Sequence, residues 1–194
     1  MKKALLFFSI LFLSLELKGQ TEEYFDPDDR PKFYFGVGTG INTYTGLAGL
    51  SGNFIIEKKL FVQAGLGLSS WGVRTSIGLR YDRSYRNGFT YGIGLSNSSG
   101  IDDIDMELET ASGGTRDINM QLENAPAIYI KTGYNWWFGE NNTFNINLGY
   151  SVALKGQPWT VNDGSSLSPT SQQVLQLIAP GGIILGMGFT FGIQ

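Results

Sequence analysis

The chain reads as an all-β protein, an eight-stranded antiparallel up-and-down transmembrane β-barrel. Three observations predict this. Apolar and polar residues alternate with period two in eight separate runs. Glycine supplies 27 of the 194 residues and sits inside those runs, on one face. The N-terminus carries an export signal and no stretch long enough to cross a bilayer as a helix.

Met1, Lys2 and Lys3 are followed by an apolar stretch at 4–15, broken only by Ser9 and Ser14. A spanning helix takes about 20 apolar residues. The pattern fits a secretory signal peptide at 1–19, cut near Gly19 or Gln20. The competing interpretation is a buried N-terminal helix. Cleavage leaves 11 Lys and Arg against 16 Asp and Glu, a net charge of −5. Residues 20–32 form an acidic periplasmic lead-in with Glu22, Glu23, Asp26, Asp28 and Asp29. Its carboxylates have no recognisable ligand spacing, so a solvated, weakly ordered segment is expected.

The eight runs follow in order. The first sets Phe33, Phe35, Val37, Thr39 and Ile41 against Tyr34 and three glycines. The second has Leu50, Phe54 and Ile56 on one side, and the third Leu60, Val62, Ala64, Leu66 and Leu68. The fourth has Val73, Thr75, Ile77, Leu79 and Tyr81 opposite Arg74, Ser76, Gly78, Arg80 and Asp82. The fifth carries Phe89, Tyr91, Ile93 and Leu95. The sixth carries Ile128, Ile130, Thr132, Tyr134, Trp136 and Phe138 opposite Tyr129, Lys131 and Asn135. The seventh has Phe144, Ile146, Leu148, Tyr150 and Val152 opposite Asn145 and Asn147. The last has Ile183, Leu185, Met187, Phe189, Phe191 and Ile193. Each run has about ten residues, the length a tilted strand needs to cross a bilayer.

The non-apolar face is mostly Gly, Asn, Ser and Thr. A sheet face in water carries more charge and less glycine. A narrow barrel interior accounts for the composition better, which leaves the apolar face for lipid. The alternative is a soluble barrel with the faces reversed. Loop lengths agree with a membrane barrel: the gaps after runs two, four and six are short, and those at 97–117 and 156–180 are long. Ten aromatics, from Phe33 and Phe35 to Phe189 and Phe191, fall at the short-turn ends and predict an interfacial girdle. Tyr44, Trp71 and Trp159 lie towards the other side.

This architecture, with the alternating aromatic strand 186–194, resembles the small eight-stranded outer-membrane barrels of Gram-negative bacteria, the outer membrane protein X, W and A group. The resemblance covers 33–194. It implies insertion by the barrel-assembly machinery, and a setting of outer-membrane lipid and lipopolysaccharide. It implies no single activity.

Composition excludes several chemistries. With no Cys there is no disulfide or thiolate metal site. With no His there is no histidine general base and no imidazole-bound zinc. The spread of 14 basic and 17 acidic residues argues against a nucleic-acid partner. No cofactor motif is present: no helical pattern follows any Gly-x-Gly run, so none cradles phosphate. The chain is therefore expected not to be an enzyme, although a carboxylate pair is conceivable as acid and base.

Two groups of residues are candidate sites. Arg80, Asp82, Lys131, Asn135, Asn145 and Asn147 should form a polar network in the lumen, with Lys131 near mid-membrane paired to a carboxylate or to several acceptors. Asp102, Asp103, Asp105, Glu107 and Glu109 alternate with Ile104, Met106 and Leu108. They predict a projecting extracellular hairpin at about 102–124, acidic on one side. A solvated hairpin is the plain interpretation. The functional ones are an edge or apolar strip for a protein partner, and carboxylates for Ca²⁺ or Mg²⁺. The loop at 156–173 is expected to be a mobile surface loop. The expected role is structural or interactive, a surface scaffold or assembly subunit. The alternatives are a small-solute conduit or ligand-binding barrel, and a soluble periplasmic lipocalin-like protein.

Overall fold

Eleven strands and one helix follow one another in the computed structural model, which describes residues 30–193. They are β1 (Phe33–Ile41), β2 (Ala48–Glu57), β3 (Leu60–Ser69), β4 (Gly72–Asp82), β5 (Gly88–Ser98), β6 (Ile101–Glu109), β7 (Thr115–Leu122), β8 (Ala125–Phe138), β9 (Asn142–Ala153), β10 (Trp159–Val161), α1 (Pro169–Ile178) and β11 (Gly182–Ile193). The expected signal peptide at 1–19 lies outside the described residues, as does the lead-in up to residue 29.

Eight strands close into an antiparallel barrel in the order β1-β2-β3-β4-β5-β8-β9-β11. Closure runs from Phe33 opposite Ile193 to Ile41 opposite Leu185. These are the eight runs of the sequence. Period-two alternation forces successive side chains to opposite faces. In a closed barrel one face is then the lumen.

The apolar face is outside. Leu66, Ile77, Ile93, Ile130, Leu148 and Leu185 are all exposed, and their inward neighbours, mostly Gly with Ser76, Tyr129, Lys131, Asn147 and Ile184, are buried or half-buried. The aromatics of the short-turn end touch one another across strands. Phe89 packs on Tyr134, Trp136 on Phe144 and Phe144 on Phe189 across strands, while Tyr134 meets Trp136 along β8 itself. Such cross-strand aromatic pairs add roughly 0.5–1.5 kcal/mol each beyond area burial.

At the opposite end sits a small cap. β6 and β7 form the hairpin between β5 and β8, and β10 adds to β7, giving a sheet in the order β10-β7-β6. The apolar side of that sheet carries Ile104, Met106, Leu108, Ile118, Met120 and Leu122. α1 covers it with Leu175 and Ile178, and Trp71 and Trp159 complete the core. Trp71 comes from the β3–β4 turn, so the cap is bolted to the barrel rim. Its indole Nε1 donates to the Glu123 carbonyl at 3.0 Å, and it meets Trp159 edge-on.

This corrects two expectations. The segment at 156–173 is not a mobile loop: it supplies β10 and the start of α1. Ser168 caps the helix by accepting from the Ser171 backbone N–H, and Pro169 stands at its first turn. The apolar strip of the hairpin is also not open to a partner, because the chain's own helix covers it. Among the described residues no helix is long and apolar enough to cross a membrane.

Candidate functional site

The lumen collects the polar residues of alternate strand positions. On β4, Arg80 and Asp82 are two apart and point inward together. Arg80 Nε lies 2.8 Å from Asp82 Oδ1 and its Nη2 lies 3.2 Å from Oδ2, a two-pronged pair. The guanidinium also stacks on Phe61, 4.1 Å from the ring centroid. Asn53 and Gln63, which sequence reasoning left out, belong to the same cluster. Gln63 Nε2 donates to Asn53 Oδ1 at 2.5 Å, and that oxygen also accepts from Arg80. Their inward parity on β2 and β3 was the signal that could have found them. Across the lumen Asn147 donates to Asn145 at 2.7 Å, and Asn135 stands opposite Asn145 on the β8–β9 ladder.

Breaking the Arg80–Asp82 pair strands a buried cation. Asp82→Asn keeps the volume and removes the charge. It is expected to cost about 3–5 kcal/mol, read as a lower denaturant midpoint.

Lys131 departs from expectation. It is buried, but neither a carboxylate nor a set of acceptors meets it among the described residues. Its ammonium sits 3.7 Å from the centroid of the Tyr44 ring instead. A cation is attracted to the negative face of an aromatic ring, more so when desolvated. Tyr44 is therefore no rim aromatic. The β1–β2 connection at 42–47 folds into the barrel, and residues 43–46 are buried.

The inserted loop is held at several points. Ser76 Oγ donates to the Tyr44 carbonyl at 2.7 Å, and Thr43 Oγ1 donates to the Gly46 carbonyl at 2.6 Å. The barrel wall is glycine where the loop presses on it. A Cβ at Gly65 would collide with the Tyr44 carbonyl, and one at Gly67 or Gly49 with the Thr45 carbonyl. Part of the glycine excess thus follows from a chain segment inside the lumen.

The other mouth is filled from the N-terminal side. Arg30 and Pro31 are buried. The Arg30 guanidinium lies over Trp137 at 4.9 Å and Phe61 at 5.7 Å, and Tyr34 packs edge-on against both rings. The described end of the lead-in is seated in the barrel rather than solvated.

The acidic residues of the hairpin stay on the outer face of the cap sheet. Asp102 accepts from Gln121 at 2.6 Å. Asp103 and Asp105 share the Asn119 amide, at 2.7 and 3.0 Å. Glu107 faces Asp117 across the ladder. Glu109 accepts from the Ser168 hydroxyl at 3.0 Å. Among the described residues no group of three or more acidic side chains is arranged to hold a metal ion.

Two carboxylates at the cap edges are held below the usual range. Hydrogen bonds from Lys155 and Thr160 lower Glu123, and those from Ser165, with Arg116 nearby, lower Asp163. A depressed carboxylate adds stability above its unfolded value and loses it as pH falls through the folded value. Unfolded carboxylates titrate at about 4. Below that, β10 and its flanks should loosen before the barrel does. Amide exchange of residues 159–163, followed from pH 6 to pH 2, checks this.

No family model matches the chain, and no curated protein or solved structure matches it. The fold and the site geometry therefore carry the functional argument.

Proposed function

We propose that the chain is an outer-membrane β-barrel with a structural or interaction role, an anchor that holds the α/β cap at the membrane surface. The observation that carries this is the sidedness of the barrel. Its outer wall is apolar on every strand, and its lumen is lined mostly by Gly, Ser, Thr, Asn and charged residues, with a few aromatics among them. In water that arrangement would leave exposed an apolar band far beyond the few hundred Å² that soluble monomers tolerate. In lipid it is the expected one, with aromatics at the rim.

A lipocalin-like binding protein needs the reverse arrangement, an apolar internal pocket. A resting solute conduit is disfavoured by the loop at 42–47 and by Arg30 at the opposite mouth. Insertion by the barrel-assembly machinery, export by the segment at 1–19, and lipopolysaccharide as a neighbour belong to this proposal. So does a non-enzymatic role. The cap's exposed acidic sheet face is the surface through which a partner would engage.

Membrane fractionation with gel mobility tests it. The chain should be recovered with outer membranes and should migrate differently before and after boiling in SDS. Recovery as a soluble periplasmic protein with no mobility change would refute it.

A further inference from the structure

Among the described residues the barrel strands carry three buried cations, Arg74, Arg80 and Lys131, but one buried carboxylate, Asp82. Asp82 is committed to Arg80. Arg74 is the informative member. It is 2% exposed, and among the described residues no carboxylate pairs with it. Its Nη2 donates to Ser96 Oγ at 2.9 Å, and its Nε–H meets no acceptor. A guanidinium carries five donors in a planar fork suited to an oxyanion. Burying one without a counter-charge is costly.

The surroundings suit an anion. Ser96 and Ser98 face Arg74 from β5, and Tyr129 lies beside it from β8. Ser151, opposite Tyr129 on β9, has a buried hydroxyl with no partner. Ala125 and Ala127 keep the β8 wall small. The inserted loop lies against this chamber, because Ser76, which holds the Tyr44 carbonyl, is the next inward position after Arg74 on β4. The loop is fastened from outside as well. The Asn42 side-chain amide bonds the Gly181 and Ile183 carbonyls, at the junction between α1 and β11.

We propose that the cap-side half of the lumen is a binding chamber for a small oxyanion, a phosphate or a carboxylate. Arg74 is its anchoring residue and the loop at 42–47 is its lid. Ser96, Tyr129 and Ser151 supply hydroxyls to the bound anion. Lys131, freed from Tyr44 when the loop lifts, adds a second charge. Asn42 ties the lid to the start of β11, and loss of that tie is what releases it. None of this depends on what surrounds the barrel.

The test is calorimetric titration of the purified chain, held in detergent micelles, with inorganic phosphate in Tris chloride, each variant first checked for a β-rich circular dichroism spectrum. Asn42→Gly removes the tether and suits the left-handed backbone there (φ +52°). It should bind phosphate about tenfold or more tightly than the wild type. Adding Arg74→Gln should weaken that binding by about tenfold or more. If Asn42→Gly fails to fold, Ser76→Ala loosens the lid instead, with the same expected direction. Equal binding by wild type and Asn42→Gly, lost with Arg74→Gln, would keep the site and overturn the lid. No phosphate bound by a folded lid variant, or binding untouched by Arg74→Gln, would overturn the chamber.

Discussion

Ile130→Arg is expected to cost about 2–4 kcal/mol of stability in a bilayer and to cut insertion sharply. Ile130 lies mid-strand on β8, flanked across the ladders by Ile93 and Tyr150, and is 63% exposed. The substitution therefore removes little packing. In water an exposed Ile→Arg change would stay within about 0.5 kcal/mol of neutral. The size of the effect thus depends on what touches the outer wall. Ile77→Arg on β4 should behave alike, since Ile77 is also exposed at mid-strand. The check is the fraction of chain that folds into vesicles, compared with Ser→Thr changes at the lumen.

Trp71→Ala has the second large effect, expected at about 3–5 kcal/mol. Trp71 is fully buried in the cap core although it belongs to a barrel turn. Its loss opens a cavity against Met120, Leu122 and Trp159 and leaves the Glu123 carbonyl without its donor. The damage should stay in the cap. The barrel ladders keep their pairing, so a mobility shift on boiling should survive. Limited proteolysis should instead cut within 101–124 and 155–180 much faster than in the wild type. Loss of the barrel together with the cap would mean the two are one cooperative unit.

The barrel strands were legible because each is long and strictly alternating. Glycine at Gly65, Gly67, Gly92 and Gly94 told which face was crowded, since only close approach of other chain elements favours it there. The hairpin was legible for the same reason, as Ile104, Met106 and Leu108 alternate with acids.

What failed were the elements that only a particular long-range contact reveals. α1 is rich in Gln, Ser and Thr, so its apolar stripe is thin. Ser168 followed by Pro169 was the one local signal of its start. Tyr44 sits in a six-residue gap with no periodicity, and nothing local says that the gap turns inward to meet Lys131. Arg30 likewise belongs to a stretch whose composition suggests solvent. Arg74 was placed on the inner face, but its lack of a counter-charge appears only when neighbouring strands are laid beside it.

Refolding without a membrane tests the central claim most directly. The chain lacking residues 1–19 is unfolded in urea and diluted into buffer, with or without phospholipid vesicles. A species that changes mobility on boiling should form only with lipid, and the lipid-free sample should aggregate. A soluble, monomeric, β-rich protein formed without lipid or detergent would contradict it, because the apolar wall would then face water.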